Sequence, residues 1–224
     1  MTTRGRFVAF EGPEGSGKTT QIERLARALQ RSGRETVVTR EPGGTAAGER
    51  IRALLLDPDA AIEPVAEFLL YAAARAQHVH ERIEPALARG AVVLCDRYGA
   101  SSVAYQGFGR GVDVAWIDTV NERATRGVRP DRTVLLDLPA EQGLGRIAAR
   151  GATDRLERAD LAFHRRVRDG YLALGRERPD WIVVDAARDE ASVADDVHRA
   201  LAPLFGSDAP MSTHGAPDAN GVLP

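Results

Sequence analysis

The run Gly12-Pro13-Glu14-Gly15-Ser16-Gly17-Lys18-Thr19 fits the spacing G-x-x-x-x-G-K-[ST]. Lys18 is the only lysine in 224 residues; the rest of the 30 basic side chains are arginines. The chemistry this pattern supports is phosphate binding. Glycines let backbone N–H groups turn inward around phosphate oxygens. A lysine tip is a compact charge on a thin stem, able to enter a tight loop that a planar guanidinium would crowd. Thr19 offers a hydroxyl to Mg²⁺, and Thr19 and Thr20 open a helix whose N-terminus favours anions. The alternative is a glycine-rich turn matching by chance.

The flanking elements argue against chance. Arg6–Phe10 reads as a short apolar strand, and residues 19–32 as a helix with Ile22, Leu25, Ala26 and Leu29 on one face. Four more apolar strands follow: Thr36–Thr39, Ala91–Cys95, Thr133–Leu138 and Trp181–Asp185. Their runs are nearly continuous rather than alternating, as expected of parallel strands buried on both faces. Helical patterns fill the intervals at 45–56, 64–89, 113–126, 140–149, 158–177 and 189–204. The alternation predicts an α/β fold, a doubly wound five-stranded parallel sheet with helices on both faces. Ligands bind beyond the carboxyl ends of such strands, where the remaining motifs fall.

One domain over 1–205 accounts for the chain, with a Gly-, Pro- and Ser-rich tail at 206–224 expected to be disordered. A net charge of −2 gives no sign of a nucleic-acid or membrane partner. The single cysteine, Cys95, excludes an internal disulfide and reads as core packing in a reducing compartment. With no apolar leader and no spanning run, a cytoplasmic location is expected.

Further chemistry sits at the strand ends. Strand two ends in Thr39-Arg40-Glu41-Pro42-Gly43-Gly44-Thr45, and strand three in Asp96-Arg97-Tyr98, followed by Ser101-Ser102-Val103-Ala104-Tyr105-Gln106. Tyr71 and Arg75 lie four apart on the helix between them and share a face. These segments, with Arg150-Gly151-Ala152-Thr153-Asp154-Arg155, make residues 5–205 resemble the bacterial thymidylate kinases, P-loop nucleoside monophosphate kinases with a mobile lid.

The resemblance implies transfer of a phosphoryl group from ATP to dTMP, with Mg²⁺ as cofactor and a homodimer as the assembly. Arg97 would grip the acceptor phosphate, with Arg52 in support; a structural ion pair and plain surface charge are the competing readings. Tyr71 would stack on the base where the family usually has phenylalanine. Arg75 would donate to a thymine carbonyl. Ser102 and Gln106 would face the base or sugar, Tyr105 would crowd a ribose 2′-OH, and Glu41-Pro42 would border the pocket. Glu11 would lie between the phosphates, and Glu11 or Asp96 could join Thr19 near the metal.

Arg146, Arg150, Arg155 and Arg158 form an arginine-rich segment at about 146–158 that would close as a lid. Glu14 occupies the P-loop position where some family members carry arginine. The resemblance therefore implies the lid-arginine type, with Arg150 first and Arg155 in reserve; a solvated charged helix end is the competing reading. The rival functions are a kinase for another nucleotide or deoxynucleoside, and a P-loop switch or ATPase that phosphorylates nothing. Helices 64–89 and 113–126 are the expected dimer faces.

Overall fold

The computed structural model describes residues 4–149, 151 and 154–206. Its elements run β1 (Arg6–Glu11), α1 (Lys18–Arg31), β2 (Thr36–Arg40), α2 (Ala46–Leu56) and α3 (Pro64–His78). A π-helical turn at Val79–Ile83 leads into α4 (Glu84–Ala88) and β3 (Val92–Asp96). Then come α5 (Gly99–Ser102), a second π-helical stretch at Val103–Gly109, and α6 (Val114–Ala124). The chain finishes with β4 (Arg132–Asp137), α7 (Ala140–Ala148), α8 (Leu161–Glu177), β5 (Trp181–Asp185) and α9 (Glu190–Phe205).

The five strands form one parallel sheet in the order β2-β3-β1-β4-β5. All five were expected from sequence. The expected helix 64–89 is interrupted by the π turn, after which Pro85 sits in the first turn of α4, where its missing N–H costs no hydrogen bond. The segment carrying Tyr105 and Gln106, given no element from sequence, is helical. The tail beyond Gly206 lies outside the described residues.

Strand alternation divides the core. Val8 and Phe10 of β1, with Leu94, Val134 and Leu136, pack against Ile22, Leu25 and Leu29 of α1 and Val193, Val197 and Leu201 of α9. Phe7, Ala9, Val93 and Cys95 face the other way, onto Val79, Ile83 and Leu87. Phe68, Tyr105, Ile117, Phe163 and Tyr171 complete that side. Cys95 is fully buried, and burial pushes its thiol well above the usual range, so it is core packing.

Candidate active site

The carboxyl ends of β1, β2 and β3 open into a cavity of about 650 Å³, roomy enough for small-molecule ligands. The P-loop forms one wall. Gly12 has φ 144°, and a Cβ there would lie 2.5 Å from the Leu136 carbonyl oxygen. Gly15 has φ 69°, and its Cβ would meet the Gly143 carbonyl oxygen at 2.5 Å. Neither position tolerates a side chain, which explains the two glycines in physical terms.

Lys18 Nζ is curled into the loop, donating to the Gly12 and Pro13 carbonyls at 3.2 and 3.0 Å and to Ser16 Oγ at 3.3 Å. Burial, then repulsion from Arg97, brings its pKa down to about 8 against the pull of Asp96, Glu14 and Glu11. An anion held in the loop would favour the charged lysine. Glu14, Gly15, Ser16, Gly17, Lys18, Thr19 and Thr20 all line the cavity, whereas Gly12 and Pro13 act through their carbonyls.

Thr19 Oγ1 donates to Asp96 Oδ2 at 2.9 Å across the cavity floor. Among the described residues, no group of three or more His, Cys, Asp or Glu could hold a metal. One hydroxyl and one carboxylate beside a phosphate loop do fit Mg²⁺, which keeps several waters and takes phosphate oxygens as ligands.

Arg97 follows β3 in the left-handed region, φ 68°, uncommon for a residue with a side chain. This aims its guanidinium at the P-loop. Nη2 donates to Glu14 Oε1 at 2.7 Å and Tyr105 Oη at 3.0 Å; Nη1 donates to the Gly12 carbonyl and Tyr171 Oη, both at 3.0 Å. The ion-pair partner of Arg97 is Glu14 of the P-loop, not a helix carboxylate. Burial alone would raise the Glu14 pKa, but Arg97, then Lys18 and the Tyr105 hydrogen bond, hold it at about 2.

Glu11 is the last residue of β1. Its side chain leaves β1 on the face of Phe7 and Ala9, since strand side chains alternate, and it is fully buried outside this cavity. It accepts from the Tyr98 amide at 2.8 Å, Ser101 Oγ at 2.6 Å and Tyr171 Oη at 3.0 Å. Desolvation raises its pKa against those hydrogen bonds and Arg97. Glu11, which the resemblance places between the phosphates or near the metal, here hydrogen-bonds residues that brace Arg97.

Tyr71, Ser102, Tyr105 and Gln106 line the same cavity. Arg75 does not. It is 1% exposed and lies behind Ser102, whose Oγ accepts from Nη2 at 3.1 Å. Its Nε donates to Glu41 Oε2 at 2.7 Å and its Nη1 to Asn121 Oδ1 at 2.6 Å. Glu41 Oε1 in turn meets His78 Nδ1 at 3.0 Å. Arg75, Glu41 and His78 form a buried network under the pocket, which Asn121 and His78 join without any signal in their own sequence context. Arg52 lines the cavity and donates to the Pro42 carbonyl at 2.9 Å.

Arg146 lines the cavity and donates to the Gly15 carbonyl at 3.2 Å. Arg150 lies outside the described residues. Arg155 points away from the P-loop and pairs with Glu67 at 2.6 Å. Tyr171, which bridges Arg97 and Glu11, escaped the sequence reading because on α8 it reads as one more core aromatic.

The comparisons with known proteins agree with this geometry. Residues 10–197 match the family model described as Thymidylate kinase. The chain belongs to the thymidylate kinase family. It is 51% identical over 200 residues to a thymidylate kinase of Deinococcus radiodurans, covering 89% of this chain and 97% of that one. It is 54% identical over 175 residues to the thymidylate kinase of Carboxydothermus hydrogenoformans, covering 78% and 86%. A crystal structure of thymidylate kinase from Ehrlichia chaffeensis superposes with a TM-score of 0.72 at 33% identity, covering 89% of this chain and 99% of that one. Family membership thus extends to the α/β P-loop kinase fold.

Proposed function

We propose that the protein is an ATP-dependent dTMP kinase that forms dTDP. The observation that carries this reading is the Arg97 guanidinium, held 2.7 Å from Glu14 of the P-loop and facing the pocket of Tyr71, Ser102 and Gln106. A donor loop and an acceptor pocket that share one cationic side chain are what a direct phosphoryl transfer requires.

The P-loop amides and Lys18 hold the ATP phosphates. Arg97 releases part of its apo hydrogen bonding to grip the dTMP phosphate, with Arg52 at its side. The Tyr71 ring stacks on thymine. Ser102 and Gln106, with Arg75 behind Ser102, supply the polar edge that reads the base. Tyr105 packs against the sugar. Thr19 and Asp96 would hold Mg²⁺ through its waters; bound there, the ion neutralises charge on the transferring group. The acceptor phosphate is already anionic, so no general base is needed. Arg150, in the segment at about 146–158 that would act as a lid, supplies the transition-state cation that Glu14 cannot.

The protein is proposed to work in the cytoplasm as a homodimer. Val65 and Leu69 of α3 and Trp116 of α6 are 40, 46 and 37% exposed. Their apolar surface on the expected dimer helices supports that assembly. Among the described residues, no helix is long and apolar enough to cross a membrane.

A coupled assay of ADP release with dTMP, dCMP and AMP in turn tests the reading. Turnover at least about 100-fold higher in kcat/KM with dTMP is expected. Equal turnover with another monophosphate would indicate a kinase of different specificity. ADP release independent of any acceptor would indicate an ATPase.

A further inference from the structure

Glu67 lies one turn before Tyr71 on α3 and is completely buried. Arg155 Nη1 and Arg110 Nη2 stand 2.6 and 3.6 Å from its Oε2, so the side chain is a carboxylate among cations. Its Oε1 accepts from Gln106 Nε2 at 2.8 Å. Gln106 is buried and lines the acceptor pocket, whereas Glu67 stands behind it and does not line it.

A carboxylate only accepts hydrogen bonds, so it fixes which end of the Gln106 amide faces it. Nε2 turns to Glu67. The carbonyl Oε1 points away from that contact, and Gln106 offers the pocket an acceptor. Turning the amide over would set oxygen against oxygen in a buried place and leave both without a donor.

The neighbouring group has the opposite polarity. A guanidinium has no acceptor, so Ser102 Oγ accepts from Arg75 Nη2, at 3.1 Å. Among the described residues, no acceptor takes the Ser102 hydroxyl hydrogen. Ser102 lines the same pocket, four residues before Gln106 in continuous helix. The wall thus presents one donor and one acceptor, each oriented by a buried charge behind it.

We propose that Glu67 is a positioning residue that sets the base specificity of the pocket by fixing the Gln106 amide. This rests on the acceptor pocket assigned above. A 4-oxopyrimidine carries a ring N–H beside a carbonyl, which match the Gln106 oxygen and the Ser102 hydroxyl. A 4-aminopyrimidine carries the reverse pattern: a ring nitrogen that accepts, beside an amino group that donates. Rejection of the amino base therefore comes in part from a charge that never touches the ligand.

The test compares dissociation constants of dTMP and 5-methyl-dCMP, which differ only along this edge. The unaltered protein is expected to bind dTMP about 30-fold or more tighter. In Glu67→Gln, residue 67 can donate as well as accept, so the Gln106 amide is free to turn. The ratio should then fall to about fivefold or less, whatever happens to overall affinity. The exchanged pair Glu67→Gln/Gln106→Glu keeps the net charge and returns an acceptor-only group to the pocket, so its ratio should return to about 30-fold or more. That variant also covers the case where the single one does not fold. A merely structural role weakens both ligands alike. An unchanged ratio in Glu67→Gln, or a low one in the exchanged pair, would overturn the proposal. So would equal binding of the two ligands by the unaltered protein. Failure of dTMP to bind the unaltered protein would instead overturn the function assigned above.

Discussion

Glu14 Oε1 lies 2.7 Å from Arg97 Nη2 and accepts the Tyr105 hydroxyl at the same distance. A P-loop side chain, a strand-end guanidinium and a pocket tyrosine thus share one contact, which links the P-loop to the Tyr105 wall of the cavity. Glu14 has an ordinary carboxyl pKa in the unfolded chain and about 2 in the fold, so it contributes stability above about pH 4.5 that is lost as pH falls toward 2.

That sign gives the first prediction. Glu14→Gln should cost about 1–3 kcal/mol at pH 7, since Arg97 loses its buried charge partner. The difference from the unaltered protein should shrink steadily below pH 4.5. Urea denaturation of both proteins at pH 7 and pH 3 measures it; a pH-independent difference would mean that the contact acts without its charge.

Lys18 yields a second. Its pKa, about 8 in the fold, lies below the unfolded value of 10.5, so the empty protein gains stability as pH rises through that window. A bound triphosphate favours the charged lysine, and ATP binding above pH 8 must then take up a proton. The ATP dissociation constant should rise by up to about tenfold per pH unit above 8. Calorimetry in buffers of different ionisation enthalpy should register the uptake, and Lys18→Met should abolish it.

How much of this was open to sequence reading depended on distance along the chain. The P-loop was legible because its chemistry is local: glycines, lysine and hydroxyl fall within eight consecutive residues. The sheet was legible because strands buried on both faces write continuous apolar runs. The partners of Glu11 were not legible, because adjacency to the P-loop says nothing about which face of β1 its side chain leaves by. The partners of Arg75 and Arg155 are set by tertiary packing of α3 against α6 and of the Asp154 turn against α2. A buried Glu67 on a helix reads in sequence like any solvated acid.

Arg150 is the subject of the third prediction. Arg150→Ala should lower kcat about 100-fold or more while the dTMP dissociation constant changes less than about threefold. Steady-state kinetics and direct dTMP titration separate the two. A large loss of dTMP binding would move Arg150 into the acceptor site.

The Tyr71 hydroxyl has no hydrogen bond to any described residue, and burial pushes its pKa up, so it serves no ionised role. Tyr71→Phe should leave kcat/KM for dTMP within about threefold, whereas Tyr71→Ala should lower it about tenfold or more by removing the stacking face. Kinetics on the two variants check this. A large loss on the phenylalanine change would give the hydroxyl a specific contact.

The central claim is that Arg97 holds the acceptor phosphate. Its most direct test compares dTMP with thymidine, which lacks that phosphate, as ligands of the unaltered protein and of Arg97→Ala. The substitution should weaken dTMP about 30-fold or more and leave thymidine within about threefold. Equal losses for both ligands, or no loss for dTMP, would contradict the account.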